Sequence, residues 1–501
     1  MCGWIGRFLL TLVAGGGTLV LSLTVDAQPV PGSPWPMFGH DARHTGRTTV
    51  TPAAPELRGT FKWIYNPDDT HTINPDEVDE IQGGVAIGPD GKLFFGTTSG
   101  RFIFVSRTNG QRLWSYPPPN QPPACDDHAG VYCTPALGVA YSPRDGEADW
   151  PPGQQLYNVY FTTMDGRLWC FRPDGTLTWT RSMGDGIGGS AVIASNGRIY
   201  VAWFESGTRL AYVSAYDAAG DRKWVLPLPE KPNKSVTVTA GPSVGDDGTI
   251  YVGDSFARLH AVLDLGSEAR LKWPGPYFNT HGALGVHCEP VIGDDGTIYY
   301  TTFYQGGRNG LHAVLDRGEG NAPTAKWDGL QYGFLWKVVG PGGPPGEDVG
   351  QIEGGPFLDW TAEGSQIWFG TYIGNPPRFI RVQERVEGDV RWAEGVVVTP
   401  EALVNNVDAV GACARWWDGE GRMQQAIVIA YEEPFVYSFK PEAHFADVQY
   451  WWRLGPPGGP PPTFPDTIER PHISIDSDGT VYVGSSSPRH TSGRLFAIWG
   501  P

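Results

Sequence analysis

Seven polar side chains, Gln82, Asp185, His287, Glu289, Glu353, Asp408 and His472, stand at or near comparable places in a series of repeated segments. Three of them, Glu289, Glu353 and Asp408, are oxygen donors of the kind that hold a hard cation such as Ca²⁺. The plainer reading of the same residues is a solvated polar rim. Glu289 and Glu353 also suit the paired acids of a polysaccharide-active enzyme, but that chemistry needs a fixed carboxyl separation, which spacing in sequence does not supply. In ACDDHAGVYC, Cys125 and Cys133 flank a short loop, and an oxidising compartment makes a disulfide the reading taken over a metal clamp. His40-Asp41-x-x-His44 has ligand types at workable spacing, against a purely structural role. Asp476-x-Asp478-Gly479 resembles part of a calcium loop without its later Glu. His260 and His312 fill the same slot in two Leu-His-Ala-Val stretches, which marks them as repeat architecture. The chain has no Gly-x-Ser-x-Gly, no His-Glu-x-x-His, no P-loop and no Cys-x-x-Cys-His. No single motif declares a reaction.

The elements that must position these residues are repeats. GDDGTIY occurs at 245–251 and again at 293–299. Each copy reads as a short apolar strand, an Asp-Gly hairpin, a β-rich run, a third strand and a fourth ending near a tryptophan. Related units run Gly83–Trp114, Cys133–Trp179, Gly188–Trp224, Gly354–Trp392 and Asp408–Trp452, besides the two quoted ones. The last, HISIDSDGTVYVGSSSPRHTSGRLFAIWG, stops after three strands, and LRGTFKWIY at 57–65 supplies its fourth. One four-stranded sheet cannot bury both faces, so copies must stack, and a split unit joins the first to the last. The expectation is an all-β, eight-bladed propeller of four-stranded antiparallel blades. Trp63, Trp114, Trp179, Trp224, Trp273, Trp327, Trp392 and Trp452 recur at the repeat period and read as wedges between neighbours.

This pattern resembles the PQQ-like propeller repeat: a small residue, then Gly-x-Asp-Gly-x-[IV]-Tyr-[VF]-Gly, a Gly-x-[IVL] third strand and a Gly-x-x-x-Trp close. Trp35-Pro-Met-Phe-Gly-His-Asp-Ala-Arg-His-Thr-Gly46 is similar to the lead-in that precedes the first blade in secreted members. The resemblance covers roughly residues 35–501. It implies the fold more than any chemistry, because quinoprotein dehydrogenases, an outer-membrane assembly factor and binding proteins share the scaffold. The dehydrogenases stack PQQ on a disulfide between adjacent cysteines, and no two cysteines are adjacent here.

On such a scaffold one face carries the long insertions, at 115–131, 274–287, 330–352, 394–407 and 453–470, whereas the other is expected to be plain Asp-Gly hairpins. Inner strands start at the ornamented face, which places the seven residues named first around a channel mouth. The chain has 501 residues and a formal charge of −17 without a basic cluster, which excludes a phosphate polymer as the natural partner. Residues 1–27 read as a cleaved signal peptide, 28–56 as a lead-in and 57–501 as one propeller domain. A secreted or periplasmic monomer with no membrane span after cleavage follows. The expected activity is a binding or interaction scaffold for a protein, carbohydrate or small molecule, with a PQQ- and Ca²⁺-dependent dehydrogenase as the alternative.

Overall fold

The computed structural model describes residues 30–52, 57, 60–65, 80–118, 130–139, 157–278 and, from 285 to 500, chiefly strands and their turns. Among these residues every regular element is a strand. Eight sheets have four or more strands, and a two-stranded ribbon, Lys337–Val338 with Glu347–Asp348, lies in one long insertion. Six of the eight are built from consecutive strands alone, as in Lys92–Gly96, Phe102–Ser106 and Arg112–Tyr116 following Ala86–Ile87, and a seventh adds the distant strand Arg47–Thr49 to four consecutive ones. The eighth is split. Phe61–Tyr65 pairs antiparallel with Leu495–Trp499, which continues into Thr480–Gly484 and Ser474–Ile475. Segments more than four hundred residues apart therefore meet in one sheet.

The repeated GDDGTIY has a local job at each position. The second acid, Asp247 or Asp295, caps its own turn by accepting from Thr249 N or Thr297 N at 3.0 Å. Its other oxygen takes a lysine from the fourth strand, Lys272 Nζ at 2.7 Å and Lys326 Nζ at 2.9 Å. Both lysines are almost fully buried while their carboxylate partners are more than half exposed, so each pair sits at the sheet's surface edge. Tyr251 and Tyr299 then pack against Trp273 and Trp327, with ring centroids 5.8 and 6.2 Å apart.

The tryptophans reach the next sheet. Trp63 Nε1 donates to Arg107 O (3.0 Å), Trp179 Nε1 to Ala218 O (3.1 Å) and Trp273 Nε1 to Asp316 Oδ1 (3.0 Å), each in the following unit's last hairpin. Trp63 thereby carries the split sheet onto the first complete one. The side chains of Trp392 and Trp452 lie outside the described residues; their backbones pair with Arg385 and Val436.

The lead-in is the largest departure from expectation. Its carbonyls accept from one inner strand after another: Trp35 O from Ile87 N (2.8 Å), Pro36 O from Leu137 N (2.7 Å), Ala42 O from Val244 N (2.7 Å) and Arg43 O from Ile292 N (3.0 Å). Thr45 O then accepts from Leu358 N (2.9 Å) and Gly46 O from Cys413 N (2.7 Å). Arg47–Thr49 adds a parallel strand beside Ala412–Trp417, and Thr51 N donates to Ser477 O (2.6 Å). Met37 packs in the core that includes Ala191 and Val192 of the third sheet. A single strap thus meets the inner strands of successive sheets in chain order, at their Asp-Gly hairpin ends. That side is not plain: Arg47 is paired bidentately with Asp294, and Arg43 contacts Asp246 and Asp294 at 3.4 Å. The first acid of each GDDG anchors the strap.

Candidate functional site

The strap turns through GHDARHTG around one carboxylate. Asp41 accepts from Arg43 N (3.0 Å), Thr45 N (3.2 Å) and Thr45 Oγ1 (2.5 Å), and these hydrogen bonds, with His40 beside it, hold its pKa down to about 2 despite burial. Gly39 lies at φ +58°, where a Cβ would sit 2.6 Å from His44 Cα, so the turn requires glycine. The Asp41 carboxylate is thus engaged in building the turn that His40-Asp41-x-x-His44 forms.

The turn brings two rings against the inner strands. Phe38 packs edge-on against His44 on one side, with centroids 5.0 Å apart, and against His472 on the other at 4.8 Å. His44 Nδ1 lies 3.0 Å from Ser243 Oγ, which donates to Pro290 O. His472 Nδ1 lies 3.3 Å from Thr134 Oγ1, which accepts from Gly84 N at 3.1 Å. Thr134 N donates to Ser190 Oγ (3.1 Å), and Ser190 N and Gly241 N point at Glu289 Oε1, 3.5 and 3.3 Å away. Glu289 precedes Pro290, so the contacts close into a circuit through inner strands of five sheets and the strap.

Glu289 is the anomaly in that circuit. Thr134, Ser190 and Ser474 use a neutral hydroxyl to take a backbone N–H of the preceding or adjoining sheet. Gly241 has no side chain, and Glu289 extends past it to reach Ser190 N two sheets away. Glu289 is only 8 % exposed, and no cation among the described residues pairs with it. Burial raises its pKa above the ordinary range, opposed by the long N–H contacts. A carboxylate set this deep with no counter-charge among the described residues is costly to ionise.

The other expected residues divide. Gln82 Nε2 donates to Glu80 Oε2 at 2.7 Å, on the same entry segment as Gly84. Asp185 is exposed and accepts from Ser206 N at 2.6 Å, which holds it below the ordinary carboxylate range as a turn cap. His287, Glu353 and Asp408 lie outside the described residues, so the three-acid Ca²⁺ set is represented by Glu289 alone. Among the described residues no three His, Cys, Asp or Glu side chains are grouped to hold a metal. Cys125 lies outside the described residues; Cys133 is a buried thiol whose pKa burial pushes up to about 12. The disulfide is not shown.

Residues 152–333 match a family model described as outer membrane protein assembly factor BamB. No curated protein sequence matches the chain. Among solved structures, a quinohemoprotein alcohol dehydrogenase from Comamonas testosteroni aligns over 94 % of this chain and 81 % of its own, at 14 % identity and a TM-score of 0.55. A europium-containing methanol dehydrogenase aligns over 94 % and 98 %, at 13 % identity and a TM-score of 0.53. The match over residues 152–333 and the shared fold are consistent with a PQQ-like β-propeller. At such identities the two structures establish a shared fold and nothing of chemistry.

The quinone for which these propellers are named carries three carboxylates and needs cationic donors. Phe38, His44, Thr134, Ser190, Gly241, Ser243, Glu289 and His472 include no Arg or Lys. The strap's arginines are engaged at the hairpin end by Asp246 and Asp294. A buried carboxylate beside a trianion adds repulsion. These described residues do not fit that cofactor. Phe38, Thr134, Ser190, Ser243 and His44 were not singled out at the mouth from sequence; the recurring Ser or Thr at inner-strand entries was the available signal. A second buried polar group, Asp254 with Arg258 Nε at 2.6 Å and His260 Nε2 at 2.8 Å, is fully enclosed and braces the fourth sheet.

Proposed function

We propose that this propeller is an exported, non-catalytic binding protein whose axial site takes a ligand carrying a positive charge, through Glu289. The observation that carries this reading is the deeply set Glu289 carboxyl, held by two backbone N–H groups through one oxygen, with no counter-charge among the described residues. A cation placed there supplies the missing partner and returns the pKa toward the ordinary range. The net charge of −17 draws cations toward the molecule. The strap occupies the hairpin end of the inner strands, which supports approach from the long-loop side. Ca²⁺, a primary ammonium and the amine of a peptide or amino sugar share this chemistry.

The same reading takes the eight sheets as blades of one closed ring. It is supported by the sheet that joins Phe61–Tyr65 to Leu495–Trp499 and by the strap's contacts with successive inner strands. Export through a signal peptide at 1–27 is part of the proposal; no helix among the described residues is long and apolar enough to cross a membrane.

Carbodiimide coupling with an amine, mapped by mass spectrometry, tests the site. Glu289 is expected to be modified in the free protein and protected by Ca²⁺ or by spermidine, whereas Asp41 stays unmodified in both. If Glu289 reacts identically with and without each cation, the reading fails.

A further inference from the structure

The strap is a guest in a structure that is complete without it. Each of the eight sheets has its own four strands from elsewhere in the chain, and the strap's three-residue strand Arg47–Thr49 is an addition to the inner edge of one of them. Its grip is largely main-chain: carbonyls of Trp35, Pro36, Ala42, Arg43, Thr45 and Gly46 accept from inner-strand N–H groups up to Cys413. Such N–H groups are the ones an added strand satisfies in β-augmentation, where backbone pairing gives affinity and pockets read alternate side chains. The pockets are present. Trp35, Met37, Phe38, His44 and Val50 are buried, and the acids of two hairpins take Arg43 and Arg47.

We propose that the hairpin end of the channel is a peptide-binding site, and that residues 33–51 are its resident, separable ligand. Recognition combines an extended backbone around the axis, a tight turn built on Asp41, apolar anchors at Trp35, Met37 and Phe38, and two guanidinium groups on Asp246 and Asp294. The strap contacts residues more than three hundred positions away, such as Cys413, so it docks only after the sheets have been brought together. Once docked it holds them in phase and stoppers one end.

The test uses the full chain with a protease recognition sequence inserted between Pro52 and Leu57. After cleavage, the strap fragment is expected to co-elute with the remainder in gel filtration and to leave at a denaturant concentration below that of global unfolding. Removal should lower the melting temperature of the remainder, and a synthetic peptide of residues 28–52 should restore it. The same peptide with Arg47→Ala should restore less, because Asp294 loses its bidentate partner. Two results overturn the proposal. One is a fragment that separates on cleavage while the melting temperature of the remainder is unchanged. The other is a remainder that unfolds on strap removal and is not rescued by the wild-type peptide, which makes the strap an integral core element.

Discussion

His44 should make the molecule acid-sensitive in a defined window. The ring is 2 % exposed, packed on Phe38 and close to Ser243, and its Nε2 is buried without a hydrogen-bond partner. Burial therefore lowers its pKa from 6.5 to about 4, although Asp41 pulls the other way. The folded state binds this proton less readily than the unfolded chain, so the contribution is fully present above pH 6.5 and is lost as pH falls through 4. A lowering of that size corresponds to about 2 kcal/mol lost by pH 5 and about 3 kcal/mol below pH 4. Asn is the replacement of choice, because His44 lies at φ +57°, which Asn tolerates. His44→Asn should be less stable at pH 7.5, and its stability should fall less steeply from there to pH 5. Urea unfolding of both proteins at several pH values, followed by tryptophan fluorescence, measures the difference. Subtracting one curve from the other removes His312, held at about 3, and Asp359, raised to about 6 with the opposite sign. A difference that stays constant between pH 7.5 and 5 would refute the burial argument.

Gly110→Ala should destabilise by at least about 2 kcal/mol, because φ is +69° and the new Cβ would meet the Trp63 ring at 2.5 Å; thermal unfolding reads it. Removing residues 57–65 should abolish a single cooperative transition, since the split sheet loses its outer strand and the hairpin at Arg107 loses Trp63; calorimetry decides, and an unchanged transition contradicts it. Glu289→Ala should cost about 1–3 kcal/mol by leaving Ser190 N and Gly241 N unpaired, with the loss seen in denaturant unfolding. Glu289→Gln should be at least as stable as wild type at pH 8: the folded pKa is raised, so ionisation opposes folding as pH rises past the ordinary value. Cys133, Cys170, Cys288 and Cys413 should resist alkylation until the protein unfolds and then react without reductant; a Cys133 that needs reductant restores the pairing with Cys125.

The repeat was legible because each of its residues acts locally. Asp247 caps the turn two residues on, and Tyr251 packs on the tryptophan that closes its own unit, so the period survives in the sequence. Even the split unit could be read, since Trp63 carries the same signature as its counterparts. The strap could not. It is held by carbonyl oxygens, which every residue possesses, on N–H groups scattered from Ile87 to Cys413. Its arginines announce nothing until the hairpins of two units are placed beside each other. Glu289 was legible as an acid near the axis but not as the one that reaches over Gly241, because that depends on which neighbouring unit lacks a side chain. Asp185 shows the converse: its position suited a mouth residue, yet the N–H of Ser206 claims it.

The claim that Glu289 is an axial cation site is tested most directly by calorimetric titration of wild type and Glu289→Gln with CaCl₂ and with spermidine, each in two buffers of different ionisation enthalpy. Wild type should bind at least one of the two cations and release protons on binding, more of them at lower pH, because burial raises the carboxyl's pKa and an arriving positive charge lowers it again. Glu289→Gln should lose both the binding and the proton release while remaining folded. Equal affinity and equal proton release in the two proteins, or no binding of either cation to the wild type, would contradict the account.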